Sequence, residues 1–286
     1  MPDDRDETSS GWIVLRRLPR ESELRAVLIT LIVCMVCSAA IALAVTVLRP
    51  HREANRTAER QSKIREMIAS VPGLEEILGP TDDVQLEARV VDLETGRYAE
   101  DVDVQQFDPN ESALDSAKSV PIPSDEDIAG LGRRARLARV HLVSERGRLR
   151  LVVLPVEGSG YISRLRGYLA LDADLRTIRG LSFYEHAETP GLGSEIDSPT
   201  WRALWPGKEA FDDAGRARII VVRDRVDPTS PDARFQVDGI SGATRTSDGV
   251  THLLRFWLGP FGFGPYLDRL AESSESSEDL MRGSLE

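Results

Sequence analysis

"GYLALDADLRTIRGLSFYEHAETPGLG", Gly167 to Gly193, is the stretch that decides the fold. "GYLALD" and "TIRGLSFYE" are β-prone runs separated by a turn signal at Ala173-Asp174, so they read as a hairpin. Upstream, "RLARVHLVS" and "RLRLVVLPV" are two more such runs joined at Glu145-Arg146-Gly147. Together the runs predict an antiparallel meander. "ARIIVVRD", from Ala217, predicts a further strand, and "EARVVDLETGRYAEDV" a strand, a turn at Glu94–Gly96 and a return. The segment from Phe107 to Gly132 is rich in Pro, Ser and Asp without periodicity, and reads as a long surface connection. Near the C-terminus Val250, Leu253, Leu254, Trp257 and Leu258 recur at the spacing of one buried helix face, stopped by Gly259-Pro260. Strands and helices fall in separate blocks, so the fold class is α+β, an antiparallel sheet with flanking helices.

Before the sheet lies "AVLITLIVCMVCSAAIALAVTVL", residues 26–48, an uncharged run. At about 1.5 Å per residue it suffices for the roughly 30 Å hydrocarbon core of a bilayer. It is too long for the apolar part of a cleaved signal peptide, so it predicts one retained transmembrane helix. Arginines flank both ends, and charge leaves the orientation undecided. Both cysteines of the chain, Cys34 and Cys37, lie inside this run and read as packing residues. The expected organisation is an N-terminal segment (1–25), the membrane helix (26–48), an amphipathic juxtamembrane stalk (49–73), the main domain (74–270) and a flexible acidic tail (271–286). A formal net charge of −11 over 286 residues excludes a nucleic-acid surface.

"VDGISGATRTSDGV", Val237–Val250, crowds hydroxyls around Gly242 and Ala243 just ahead of the apolar helix. Thr246, Ser247 or Asp248 can cap that helix. Thr244 then sits ahead of its N-terminus, where free N–H groups favour an anion, with Arg245 adding charge beside it. Gly242 and Ala243 leave the Thr244 hydroxyl accessible. On local grounds a plain turn and an ordinary capped helix explain the stretch equally well. In "FYEHAETPGLGSEI", Pro190-Gly191 and Gly193 mark a tight loop, and the spacing of Glu185, His186 and Glu188 matches no closed metal set. No metal site is expected.

"DGISGAT" resembles the flavinylation signal D-x-x-[S/T]-G-A-T, whose last threonine carries FMN through a phosphoester bond. With "TPGLG", "ARVVDLETGRY", "LPVEGSGY", "WPGK" and "FWLGPFGFGPYLDRL" in the same order, the chain resembles the NqrC family, the C subunits of the sodium-translocating NADH:quinone reductases. It resembles the G subunits of the Rnf electron-transport complexes more loosely. The resemblance implies covalent FMN on Thr244, with Asp238, Ser241, Gly242 and Ala243 as the signal. It also implies Thr189, Gly191, Leu192 and Gly193 at the flavin. Tyr161-Ile162 stands where the family commonly has Leu-Trp, which leaves Tyr161 as the aromatic contact, and Arg245 completes the set. Implied partners are the A, B, D, E and F subunits of the reductase and, during maturation, an FMN transferase acting from FAD. The implied place is the bacterial inner membrane with the main domain in the periplasm. The implied role is a one-electron relay from a membrane iron–sulfur centre toward the flavin of the B subunit and ubiquinone, with no catalytic residue of its own.

No dinucleotide fingerprint or Walker loop occurs, so NADH and ATP bind elsewhere. Two readings of other classes compete: a hydrolase using Ser241, which lacks a nucleophile elbow, and a non-catalytic assembly or sensor domain.

Overall fold

The computed structural model describes residues 27, 29–39, 42, 84–104 and 106–283. The chain divides into two units, residues 1–59 and 60–286. In the first, residues 27, 29–39 and 42 are helical, and Cys34 and Cys37 are exposed free thiols. No helix among the described residues is long and apolar enough to cross a membrane. Most of the ends of the 26–48 run, and the whole 49–73 stalk, lie outside them.

The second unit is built on a six-stranded sheet. Its strands, in spatial order, are β1 (Val84–Asp92), β4 (Leu137–Glu145), β5 (Arg148–Ser159), β6 (Arg164–Asp172), β7 (Thr177–Glu185) and β8 (Lys208–Glu209), and every pairing is antiparallel. The meander therefore stands where the sequence places it. The hairpin between β4 and β5 turns through Arg146 and Gly147, both at positive φ, as a tight two-residue connection demands.

Between β1 and β4 the chain departs from its sequence reading. After the turn the return strand shrinks to a single bridge, Tyr98 with Val91. The 107–132 connection is not merely a surface loop: it holds α1 (Pro109–Leu114) and β2 (Ser119–Pro121), which pairs with β3 (Arg133–Ala135). Phe107, Ile122, Ala129 and Leu131 are buried. Side chains supply the missing regularity, for the Asp127 carboxylate accepts from the N–H groups of Leu131 (2.8 Å) and Gly132 (2.7 Å).

Beyond β7 lie α2 (Pro199–Arg202), a parallel pair β9 (Ile220–Val221) and β10 (Gln236–Val237), α3 (Thr244–Trp257) and α4 (Gly264–Gly283). The run at Ala217 thus yields two strand residues outside the main sheet. Its apolar side chains Ile219 and Val221 are buried, but the Val221 N–H donates to the Thr251 hydroxyl of α3 (3.0 Å) rather than to a neighbouring strand. The helix from Gly264 continues through Gly283, where a frayed tail was expected. Between Pro265 and Gly283 no proline or glycine interrupts it.

α3 lies across β5 and positions the site. Its predicted face of Val250, Leu253, Leu254, Trp257 and Leu258 is fully buried, each side chain contributing about 1.5–3 kcal/mol. The Trp257 indole N–H donates to the Glu157 carbonyl (2.7 Å). Contact with the sheet is backbone-close: a Cβ at Gly249 would stand 2.5 Å from the Ser159 carbonyl oxygen, so only glycine fits.

Along β4, Val140 and Leu142 join the core beneath α3, while His141 points to the opposite face against the Tyr168 ring, 6.4 Å between centroids. Burial, aided by the Arg139 charge, pushes the His141 imidazole down to about 4. In the unfolded chain it protonates near 6.5, so as pH falls from 6.5 to 4 the unfolded state takes up the proton first and folding loses stability. The loss is on the order of 3 kcal/mol. Urea denaturation at pH 7, 5.5 and 4.5 checks it: His141→Gln should flatten the pH slope above pH 4.5 that the parent shows.

Candidate functional site

Three segments meet at the N-terminal end of α3. The first is the β5–β6 connection, Gly160–Ser163. The second is the loop after β7, His186 to Gly193, which runs into a 3-10 turn at Gly193–Asp197. The third is the stretch from Asp238 into α3.

α3 begins at Thr244, earlier than the capping pattern predicts, and its N-cap is Ala243 without a side-chain hydrogen bond. Thr246 and Ser247 are therefore not caps. Both are buried in the first turn and turn inward: Ser247 Oγ accepts the Ile240 N–H (3.3 Å), and the Thr246 hydroxyl donates to Glu188 Oε2 (2.7 Å). The first N–H groups of the helix have no intrahelical acceptor and leave a partial positive charge beside the exposed Thr244 hydroxyl. The turn into the helix uses Gly242 at φ +73°, a conformation that strains any other residue. A Cβ there would also meet Leu192 Cδ2 at 3.0 Å, so the "TPGLG" loop and the hydroxyl motif are in direct contact.

Glu188 holds the three segments together. It is 5% exposed, and its carboxylate accepts five hydrogen bonds. Oε1 takes the N–H of Ile162 (3.0 Å), the N–H of Ser163 (3.0 Å) and the Ser163 hydroxyl (3.2 Å). Oε2 takes the Thr246 hydroxyl and the Tyr161 N–H (3.3 Å). Burial alone would raise its pKa, but the hydrogen bonds from Thr246, Ile162 and Ser163 outweigh it and hold the group below the usual carboxylate range. Its volume is taken from two neighbours: a Cβ at Gly160 would lie 2.5 Å from Oε1, and one at Gly193 2.8 Å from Oε2. The sequence pattern weighed Glu188 only as a metal ligand, and nothing in its local spacing announces partners this far along the chain.

Around this anchor Tyr161, Leu192, Thr244 and Arg245 are all exposed. The Arg245 guanidinium lies over the Tyr161 ring, 5.2 Å from its centroid. Gly191, at positive φ, donates its N–H to the Ser194 hydroxyl (3.1 Å), and the Thr189 carbonyl accepts from Leu192 and Ser194, which shapes the loop. Thr189 is half-buried and serves this turn with its backbone. Asp238 and Ser241 look the other way, into a cleft of about 970 Å³ shared with Trp201, Arg223 and Arg225. There Asp238 Oδ1 accepts the Val226 N–H (2.8 Å) and its carbonyl accepts the Trp201 indole N–H (3.0 Å), which fixes the strand leading into the motif. His186 Nδ1 accepts the Glu188 N–H (3.2 Å) and Nε2 faces Asp197 Oδ2 (2.8 Å), while Glu185 pairs with Arg166 (2.9 Å). Among the described residues no three His, Cys, Asp or Glu gather as metal ligands.

Residues 160–259 match the family model of the FMN-binding domain, a span that contains all three segments. A Pseudomonas aeruginosa protein described as the C subunit of Na(+)-translocating NADH-quinone reductase is 42% identical over 253 residues, 88% of this chain and 97% of its own length. Its Yersinia pestis counterpart is 37% identical, covering 87% and 94%. The crystal structure of Shewanella oneidensis NqrC superposes with a TM-score of 0.65 at 33% identity, over 76% of this chain and 98% of that one.

Removing one donor from a buried carboxylate is costly, whereas Ser241 is exposed. Thr246→Val should destabilise the domain by about 1.5–3 kcal/mol, and Ser241→Ala by no more than about 0.5 kcal/mol. Urea denaturation followed by tryptophan fluorescence separates the two.

Proposed function

Since the chain belongs to the NqrC family, the C subunits of the Na(+)-translocating NADH-quinone reductases, we propose that its FMN is tethered by a phosphoester to the Thr244 hydroxyl. The protein is an FMN-binding electron-transfer component of that membrane-bound complex. The observation that supports the attachment site is that exposed Thr244 is the first residue of α3, between Gly242, which abuts Leu192, and Arg245, which lies over Tyr161.

The residues present fit the group. A phosphate carried by Thr244 would sit at the open end of α3 with Arg245 as its chain neighbour, both favourable to negative charge. Exposed Tyr161, under Arg245, and exposed Leu192, against Gly242, would offer an aromatic and an apolar face on either side of Thr244 in the motif, and Gly191 and Gly193 add no side chains to the loop. FMN when bound supplies one-electron chemistry at a flat ring. The chain's own part is to hold that ring in place and to keep a negative phosphate satisfied. On this reading the protein relays electrons within the complex.

The attachment needs a separate FMN transferase: the Thr244 oxygen forms a new bond to the flavin-side phosphorus of FAD as the pyrophosphate bond breaks, AMP leaves, and the hydroxyl proton passes to solvent. The uncharged run at 26–48 serves as a single anchor, 49–73 as a stalk, and 74–270 as the FMN-carrying domain on the periplasmic side. In the complex the electron arrives from an iron–sulfur centre of the membrane subunits and leaves toward the flavin of the B subunit and ubiquinone.

Co-expression of the full chain with an FMN transferase should give a denatured gel band that fluoresces under ultraviolet light and an intact mass raised by one FMN less water. Thr244→Val should abolish both while leaving the circular dichroism unchanged. A colourless, unmodified parent chain under these conditions would sink the attachment and favour a binding or sensor module.

A further inference from the structure

The Glu188 carboxylate is a buried charge whose described partners are all neutral: three backbone N–H groups and two hydroxyls. No ion pair among the described residues includes it, and the nearby cation, Arg245, is drawn over the Tyr161 ring instead. Positive potential reaches it from donor dipoles: the N–H groups of Tyr161, Ile162 and Ser163 and the hydroxyls of Ser163 and Thr246. It is also central to the site. The Tyr161 N–H donates to it directly, it lies against Gly193 behind Leu192, and its partner Thr246 is two residues from Thr244.

A ring leashed to Thr244 and resting on Tyr161 or Leu192 would stand over the backbone of Tyr161 and Gly193, the layer that covers the Glu188 carboxylate. Charge acts strongly through such a medium. Adding an electron to the ring builds negative charge next to a fixed negative charge, which opposes the reduction.

We infer that the buried Glu188 carboxylate lowers the reduction potential of the flavin tethered at Thr244, so that the reduced cofactor is a stronger donor to the next carrier. The inference rests on the Thr244 attachment. Glu188 acts as a positioning and electrostatic residue: its hydrogen bonds set the three loops around the cofactor, and its charge sets the cofactor's electron affinity. Thr246 shares only the first of these tasks.

That difference supplies the test. Glu188→Gln keeps the shape and removes the charge. With the amide oxygen toward Ile162 and Ser163, its NH2 can donate to the Thr246 hydroxyl, which rotates to accept, so only the long Tyr161 contact is lost. Glu188→Ser is a second neutral variant, with room for water to meet the freed donors. Thr246→Val disturbs the same network with the charge in place. Each full-length chain, flavinylated by co-expression with the transferase and purified in detergent, is checked by intact mass and near-ultraviolet circular dichroism and then titrated optically with dithionite and redox mediators.

Both neutral Glu188 variants should favour the reduced flavin about tenfold for each electron added, a rise of about 59 mV, with Thr246→Val shifting less than about threefold. Loaded, folded neutral variants with the parent potential would overturn the inference, and so would an equal shift in Thr246→Val, because the effect would then be positional. A parent chain whose mass shows no FMN contradicts the attachment at Thr244 instead, a result that precedes any potential measurement.

Discussion

A single buried carboxylate organises the functional end of this molecule. Glu188 gathers the β5–β6 connection, the loop after β7 and the first turn of α3 onto its two oxygens. Three consecutive backbone N–H groups of an otherwise exposed connection find their acceptor at one point. The glycines at 160 and 193 follow from it, because the carboxylate fills the space their side chains would need. The acid stays ionised because donors surround it, not because a cation neutralises it. Three loops are thus fixed by one group that lies beneath them.

The sheet and α3 make that arrangement possible. The meander delivers the ends of β5 and β7 to one side of the domain, two strands apart. α3 crosses β5 on a buried apolar face and points its open end toward the same place. The long helical dipole, the exposed Thr244 hydroxyl and the loop glycines are then neighbours, though they come from separate regions of the chain. The family likeness spans both the scaffold and the loops, with residues 160–259 carrying the FMN-binding pattern.

The scaffold was legible because its signals are local. The runs from Leu137 to Glu185 alternate or bury continuously between tight turns, and Val250 to Leu258 repeat with the helical period. Thr244 is singled out only by the resemblance of "DGISGAT" to a flavinylation signal, since local chemistry also permits a plain capped turn. Glu188 was not legible as an anchor: its partners Ser163 and Thr246 lie 25 and 58 residues away, and only the folded sheet brings them together. The same long-range bond explains the misplaced start of α3. Thr246 and Ser247 are good capping residues in isolation, but their hydroxyls bond to Glu188 and Ile240 and the N-cap falls at Ala243, three residues before the earliest of them. In the segment from 107 to 132 the apolar residues follow no period, so their burial could not be read from spacing.

The backbone contact between Gly249 and Ser159 bears on how fast the protein can work. Side chains between a helix and a sheet act as a compliant layer, and here that layer is missing at the turn next to Thr244. Tunnelling between redox centres decays exponentially with their separation, so a mount that drifts by an ångström makes the rate erratic. By seating backbone on backbone at this point, the fold holds the first turns of α3 at a fixed distance from the sheet, and with them the loops gathered on Glu188.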